Sequence, residues 1–217
     1  MTLRNLRRFP QLQHWLIPVL IFLLAFLPRA IYPVSRSMLW YYRATHFSDA
    51  LLARDWAGTY QSYHPGVTTM GLSAIGLRLF AWQRGLSSDQ LLGVEPTEPG
   101  TVNDAVTAGV VPLAFAIALC VALSYVLLKR ITDQRVAFIG SFLLALDPFH
   151  ITYSQVLHVD GLVATFMLVS VLFLLSYLHR ARRLDLILSG VLAGLAFLSK
   201  SPSLSLIPYA ALAAGMY

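Results

Sequence analysis

Two carboxylates and two histidines fall in one short stretch, Asp147-Pro148-Phe149-His150-Ile151-Thr152-Tyr153-Ser154-Gln155-Val156-Leu157-His158-Val159-Asp160, with long apolar runs on either side. Ionisable groups beside hydrocarbon are costly unless solvated, paired or lining a cavity, which makes these residues candidates for a site. A simpler role is also open: Asp147 ends one helix and Asp160 begins the next, where an acid suits the positive end of the dipole. Neither His150 nor His158 has a second histidine one helical turn away in the pattern of a zinc helix, so no metal site is expected. Lys200, in Leu198-Ser199-Lys200-Ser201-Pro202, stands at the mouth of a broken helix. There it can hold a phosphate as a point charge or extend to lipid headgroups. A third group lies earlier, where residues 37–69 mix Trp40, Tyr41, Tyr42, Phe47, Trp56, Tyr60 and Tyr63 with His46, Asp49, Asp55 and His64.

The elements that must position these groups are membrane helices. The 217 residues are 57% apolar and 12% charged, with a mean hydropathy of +0.66, whereas a soluble domain is about 25% charged. This excludes a soluble globular, disordered or fibrous chain. The 16 Lys and Arg outnumber the 10 Asp and Glu, but most of the cations flank apolar runs. That placement signals topology and membrane lipids rather than a nucleic-acid partner. The single Cys120 excludes an internal disulfide framework and a cysteine metal cluster.

Apolar stretches long enough to cross a bilayer need about 20 residues. Residues 9–28 form the first span and 29–104 a long external loop, and spans two to six follow within 105–217, at 105–128, 131–148, 161–179, 186–199 and 201–217. The expectation is an all-α, polytopic transmembrane protein of about six spans in one domain, 1–217. No small-x-small cleavage site follows Phe26, so the first span is a retained anchor rather than a signal peptide. A cytoplasmic N-terminus then places Lys129, Arg130, Arg135, Arg180, Arg182 and Arg183 inside, as the positive-inside rule asks of a multi-pass protein of the plasma (inner) membrane. The first loop, the 147–160 turn and Lys200 share the outer face. Within the loop, 47–56 and 67–82 read as interfacial helices broken at Tyr63-His64-Pro65-Gly66, and 87–103 as a flexible connector.

Three sets of residues together resemble the lipid-dependent GT-C type glycosyltransferases, especially bacterial relatives of protein O-mannosyltransferases and of the aminoarabinose transferase. Trp40-x-x-Arg43-x-x-x-Phe47, Ala50-Leu51, Thr59 and His64-Pro65-Gly66-Val67-Thr68-Thr69-Met70 are similar to that family's first external loop. Asp147-Pro148, Ser154-Gln155 and Asp160-Gly161 are similar to its later external turn, and Gly190-x-x-x-Gly194-Leu195-Ala196-x-Leu198-x-Lys200 to the helix ending in its lysine. The resemblance implies transfer of a sugar from a polyprenyl-phosphate donor to an acceptor on the outer face, with no other cofactor. It implies that Lys200 contacts the phosphate, that Arg43 and His64 shape the site, and that His158 and Asp160 join them in holding substrate or lipid phosphate.

The family's first loop carries an Asp-Glu pair before the Trp-x-x-Arg element. Registered on Trp40, Arg43 and Phe47, that pair falls at Arg36-Ser37, and no acid occurs between Met1 and Phe47. Asp49 and Asp55 are the nearest carboxylates able to serve as catalytic base, about 18 to 27 Å further on if the intervening chain is helical. Relatives also have about twice as many spans, so the chain is expected to be a fragment or a shortened descendant of the fold. Two functions remain open: a glycosyltransferase, or a noncatalytic subunit that binds other membrane proteins, aided by the close helix approach that Gly190-x-x-x-Gly194 allows. The topology predicts that a reporter fused after Tyr217 is active on the cytoplasmic side, and activity only outside the cell would overturn it.

Overall fold

The computed structural model describes residues 10–31, 38–62, 65–92 and 99–216. In chain order the helices are α1 (Pro10–Ile31), α2 (Met38–Ala53), α3 (Val67–Arg84), α4 (Ser88–Leu92) and α5 (Pro99–Ile131). They continue as α6 (Gln134–Leu146), α7 (Pro148–Ser154), α8 (Asp160–Arg180), α9 (Arg183–Ser199) and, after a 3-10 turn (Ser201–Ser205), α10 (Leu206–Met216). No β-strand occurs among the described residues, and the chain is all-helical. Segment Asp104–Ile131 of α5 and all of α8 are long and apolar enough to cross a membrane, and α6 with α7, bent by 51°, make a third crossing if the pair is one span. The six apolar stretches are helical where described, but α9 has 17 residues and α10 has 11. At 1.5 Å per residue both described lengths fall short of about 30 Å of hydrocarbon, so length and composition support two crossings, or three with the bent pair.

Helix α5 is the member against which α1, α3, α6 and α8 all pack. Its approach to α3 follows from one proline. Pro112 has no N–H to give the carbonyl of Ala108 four residues earlier. Gly76 of α3 lies against that carbonyl so closely that a Cβ there would overlap it. Helices α8 and α9 are joined by reciprocal bonds: the Ser170 hydroxyl donates to the Ser189 carbonyl and the Ser189 hydroxyl to the Ser170 carbonyl, each at 2.9 Å. Small polar residues serve this way between membrane helices because lipid offers no competing partner.

Two parts of the first loop differ from expectation. Helix α2 begins at Met38 rather than near residue 47, because Trp40, Tyr41, Ala44, Thr45, Phe47 and Ser48 form one buried face at helical spacing. Tyrosine and threonine in that face obscure its apolar period in the sequence. The connector is also partly helical: Leu91 of α4 is buried, and the Tyr41 hydroxyl donates to its carbonyl at 2.6 Å. Burial, with a smaller contribution from Tyr42, pushes the Tyr41 hydroxyl up to about 12, so it remains a donor at any ordinary pH.

The Gly76 contact yields a matched test. Gly76→Ala should destabilise the protein in detergent by about 1–3 kcal/mol through overpacking. Gly71→Ala, on the same helix with nothing near the added methyl, should be neutral or stabilising by up to about 1 kcal/mol. Thermal unfolding of the two variants checks the difference.

Candidate functional site

The site grows from a single tight junction. Gly66 has φ +56°, in the left-handed region that favours glycine, and it precedes the first turn of α3. The Trp40 ring packs where a Cβ would stand. The Gly66 N–H donates to the carbonyl of Ser199 at 3.1 Å, and the Thr68 and Ser199 hydroxyls are hydrogen-bonded. The starts of α2 and α3 and the end of α9 therefore meet at one point. Lys200, the next residue, leaves α9 in an extended conformation, with φ −161°.

From this junction a row of ionisable groups runs across the surface. The Arg43 guanidinium sits over the Trp40 ring, 5.0 Å from its centroid, a favourable place for a cation. Trp40 also meets His158 edge-to-face, centroids 5.8 Å apart. His158 Nδ1 lies 3.2 Å from one oxygen of Asp160, and Lys200 Nζ donates to the other at 2.7 Å. His158, Asp160 and Lys200 are each about one-third exposed, which leaves them within reach of a ligand. Arg43, His158, Asp160 and Lys200, predicted from separate parts of the sequence, are thus brought together. His64, predicted with them, lies outside the described residues, as do Arg36 and Ser37.

Asp160 also forms one wall of a cavity of about 320 Å³, with Asp147, His150, Tyr153 and Gly161. Its inner side is fixed by Arg29, which is fully buried. Arg29 Nη1 donates to the carbonyls of Ala25 at 2.7 Å and Ala145 at 2.9 Å, and Nη2 lies 2.9 Å from His150 Nδ1. An arginine has only donors, so His150 Nδ1 must be the acceptor and the proton sits on Nε2. That Nε2 donates to the Thr165 hydroxyl at 2.9 Å, which donates in turn to the Gly161 carbonyl at 2.6 Å. One chain of bonds thus links α1, α7 and the first turn of α8. In the sequence Arg29 reads only as a flanking cation; the hint of more is that no acid precedes it to share its charge.

The two first-loop carboxylates lie elsewhere. Asp49 and Asp55 line an open groove of about 570 Å³ with His46 and Gln61, and this groove shares no lining residue with the cavity at Asp160. Asp49 is roughly 14 Å along α2 from Trp40 and is ion-paired with Arg78. Asp55 accepts the N–H of Gly58 at 3.0 Å, closing a turn. Among the described residues no three His, Cys, Asp or Glu side chains are placed to hold a metal ion.

The fold is thus an all-helical membrane scaffold that gathers a lysine, an arginine, a histidine and a carboxylate beside a cavity. The profile of the dolichyl-phosphate-mannose-protein mannosyltransferase family matches residues 102–216, more than half of the chain, and the chain belongs to that family. The match takes in Asp160 and Lys200 and begins after α2 and α3. Neither curated proteins nor solved structures provide a match.

The junction makes a specific prediction. Gly66→Ala should cost about 1–2 kcal/mol for the left-handed backbone plus the displacement of Trp40. Gly85→Ala, with φ +65° and open space around it, should cost the backbone penalty alone. Denaturation of both variants, with equal losses counting against the Trp40 contact, measures the difference.

Proposed function

We propose that this chain transfers a sugar from a polyprenyl-phosphate donor, dolichyl-phosphate mannose being the form that the family's name specifies, to an acceptor hydroxyl on the outer face of the plasma (inner) membrane. The observation that carries this reading is the Lys200–Asp160 pair at the edge of the cavity, with Arg43 held over Trp40 on its other flank. A phosphodiester oxygen arriving at Lys200 competes with Asp160 for the ammonium group, and the carboxylate so released can accept a proton. The acceptor hydroxyl then gives its proton to Asp160 as its oxygen bonds to the anomeric carbon. The bond from that carbon to the phosphate oxygen breaks, and the departing polyprenyl phosphate keeps the electron pair. Lys200 and Arg43 meet the negative charge that develops, the kind of stabilisation that usually dominates such steps. Asp160 meets the demand for a base within hydrogen-bond reach of the hydroxyl. Asp49, neutralised by Arg78, and Asp55, engaged with Gly58, are the alternative bases.

In this reading the chain passes through the bilayer about six times, with a cytoplasmic N-terminus and with α2 and α3 as interfacial helices of the first external loop. The shortness of α9 and α10 is met by local thinning of the bilayer or by further protein packed against them. A second reading, a noncatalytic subunit that retains the donor site within a membrane complex, is favoured by two features. Arg36-Ser37 stands where the family has its acidic pair, and Asp49 is held in an ion pair.

Purified protein with dolichyl-phosphate mannose and a hydroxyl-bearing peptide acceptor separates these readings. Transfer should occur, with Lys200→Met and Asp160→Asn each lowering kcat/KM by about 100-fold, and Asp49→Asn and Asp55→Asn changing it less than about threefold. Loss of transfer in Asp55→Asn alone would move the base to the first-loop groove. Lys200-dependent donor binding without transfer would establish the subunit reading, and neither binding nor transfer would reject both.

A further inference from the structure

At the end of α8 remote from Asp160, another cavity, largely apolar with a cationic side, is built from three helix ends. It has a volume of about 390 Å³ and lies between the start of α1, the end of α5 and the end of α8. Lys129, Arg130 and Arg180 form its charged side, while Trp15, Tyr125 and Val126 supply an apolar side, and among the described residues no carboxylate lines it. Asp160 and Arg180 are the first and last residues of α8, so the two sites are separated by about 30 Å along that helix.

The charges in this cavity are only partly used by the protein. Arg130 Nη1 reaches Asp185 Oδ1 at 3.4 Å, and the other Asp185 oxygen is occupied by the Ser176 hydroxyl at 2.8 Å. Arg180 Nη2 donates to the Arg130 carbonyl at 3.3 Å. Lys129 has no ion-pair partner among the described residues. Beneath these cations Tyr125 is buried, and Trp15 stands exposed at the rim. An anion satisfies the first surface and a hydrocarbon the second, at the level of the membrane where tryptophan and tyrosine are favoured.

We propose that this cavity binds the headgroup of an anionic phospholipid, with the phosphate at Lys129, Arg130 and Arg180 and the glycerol and upper acyl chain against Trp15, Tyr125 and Val126. Basic pockets between membrane helices hold acidic headgroups in this way. A free phosphate would use the cations and leave the apolar side without a partner. The site is distinct from the donor site proposed above, since it lies at the opposite end of α8, and it does not depend on catalysis.

Native mass spectrometry of the whole chain in detergent, with phosphatidylglycerol or phosphatidylcholine added, tests this. Phosphatidylglycerol should be retained as a single adduct in preference to phosphatidylcholine, and millimolar inorganic phosphate should not displace it. Lys129→Gln with Arg180→Gln should weaken retention by about fivefold for each cation removed. The pair Arg135→Gln with Arg182→Gln removes the same charge outside the cavity and should weaken it far less. Val126→Trp keeps every charge, fills the cavity and should also abolish the adduct. Equal retention of the two lipids, equal loss in both charge pairs, or displacement by phosphate would each overturn the proposal. Thermal unfolding of each variant identifies any that fails to fold, and Val126→Trp and the two charge pairs test the cavity independently.

Discussion

The arrangement around Lys200 depends on how closely the backbone at residue 66 can approach its neighbours. A side chain there would collide with Trp40, and the left-handed backbone would resist most residues other than glycine. With glycine in place, one N–H reaches the Ser199 carbonyl and draws the start of α3 onto the end of α9. A single backbone hydrogen bond contributes only about 1 kcal/mol, but its consequence is geometric. It sets Trp40, and with it Arg43 and His158, next to the residue that follows Ser199. The Lys200–Asp160 contact closes the same ring from the other side.

The charges of this membrane protein illustrate a second constraint, that a desolvated ion needs polar partners close at hand. Each of the less exposed ions has a different solution. Arg29 relies on two carbonyls and a neutral histidine, Asp185 on a serine and an arginine, and Asp160 on a lysine and a histidine. The first and third serve the cavity at the beginning of α8 and the second lies near its end. These charged groups thereby lie at two levels, with a largely apolar interior between them. Within that interior, Ser170 and Ser189 bind one another across α8 and α9.

Much of this was legible in the sequence, and the reasons differ by element. The helices of 99–216 are marked by long uncharged runs and flanking cations, so their existence followed from composition. Topology put the parts that carry Arg43, His158, Asp160 and Lys200 on one face, but their grouping into a single site was legible only through resemblance, since nothing local links residues 43 and 200. Helix α2 was read too short because its buried face mixes aromatic, threonine and serine positions. Arg29 was missed as a member of the site because its partners are backbone carbonyls and a histidine 121 residues away, which no spacing rule reveals. The count of about six crossings followed from apolar residues alone, and helix length supports two or three of them.

The bend at Asp147 has a consequence for the surrounding lipid. Helix α6 has 13 residues, about 20 Å of rise, and exposes Val136, Ile139, Leu143 and Leu146 along one side, with Phe149 continuing the stripe into α7. Hydrocarbon of about 30 Å does not match so short an apolar face, and the least costly adjustment is a local thinning of the bilayer beside it. Such thinning would bring headgroups and water on that flank toward the mouth framed by Asp147 and Asp160. A lipid-borne phosphate would then meet the protein at a depth where its polar end never has to leave the aqueous boundary.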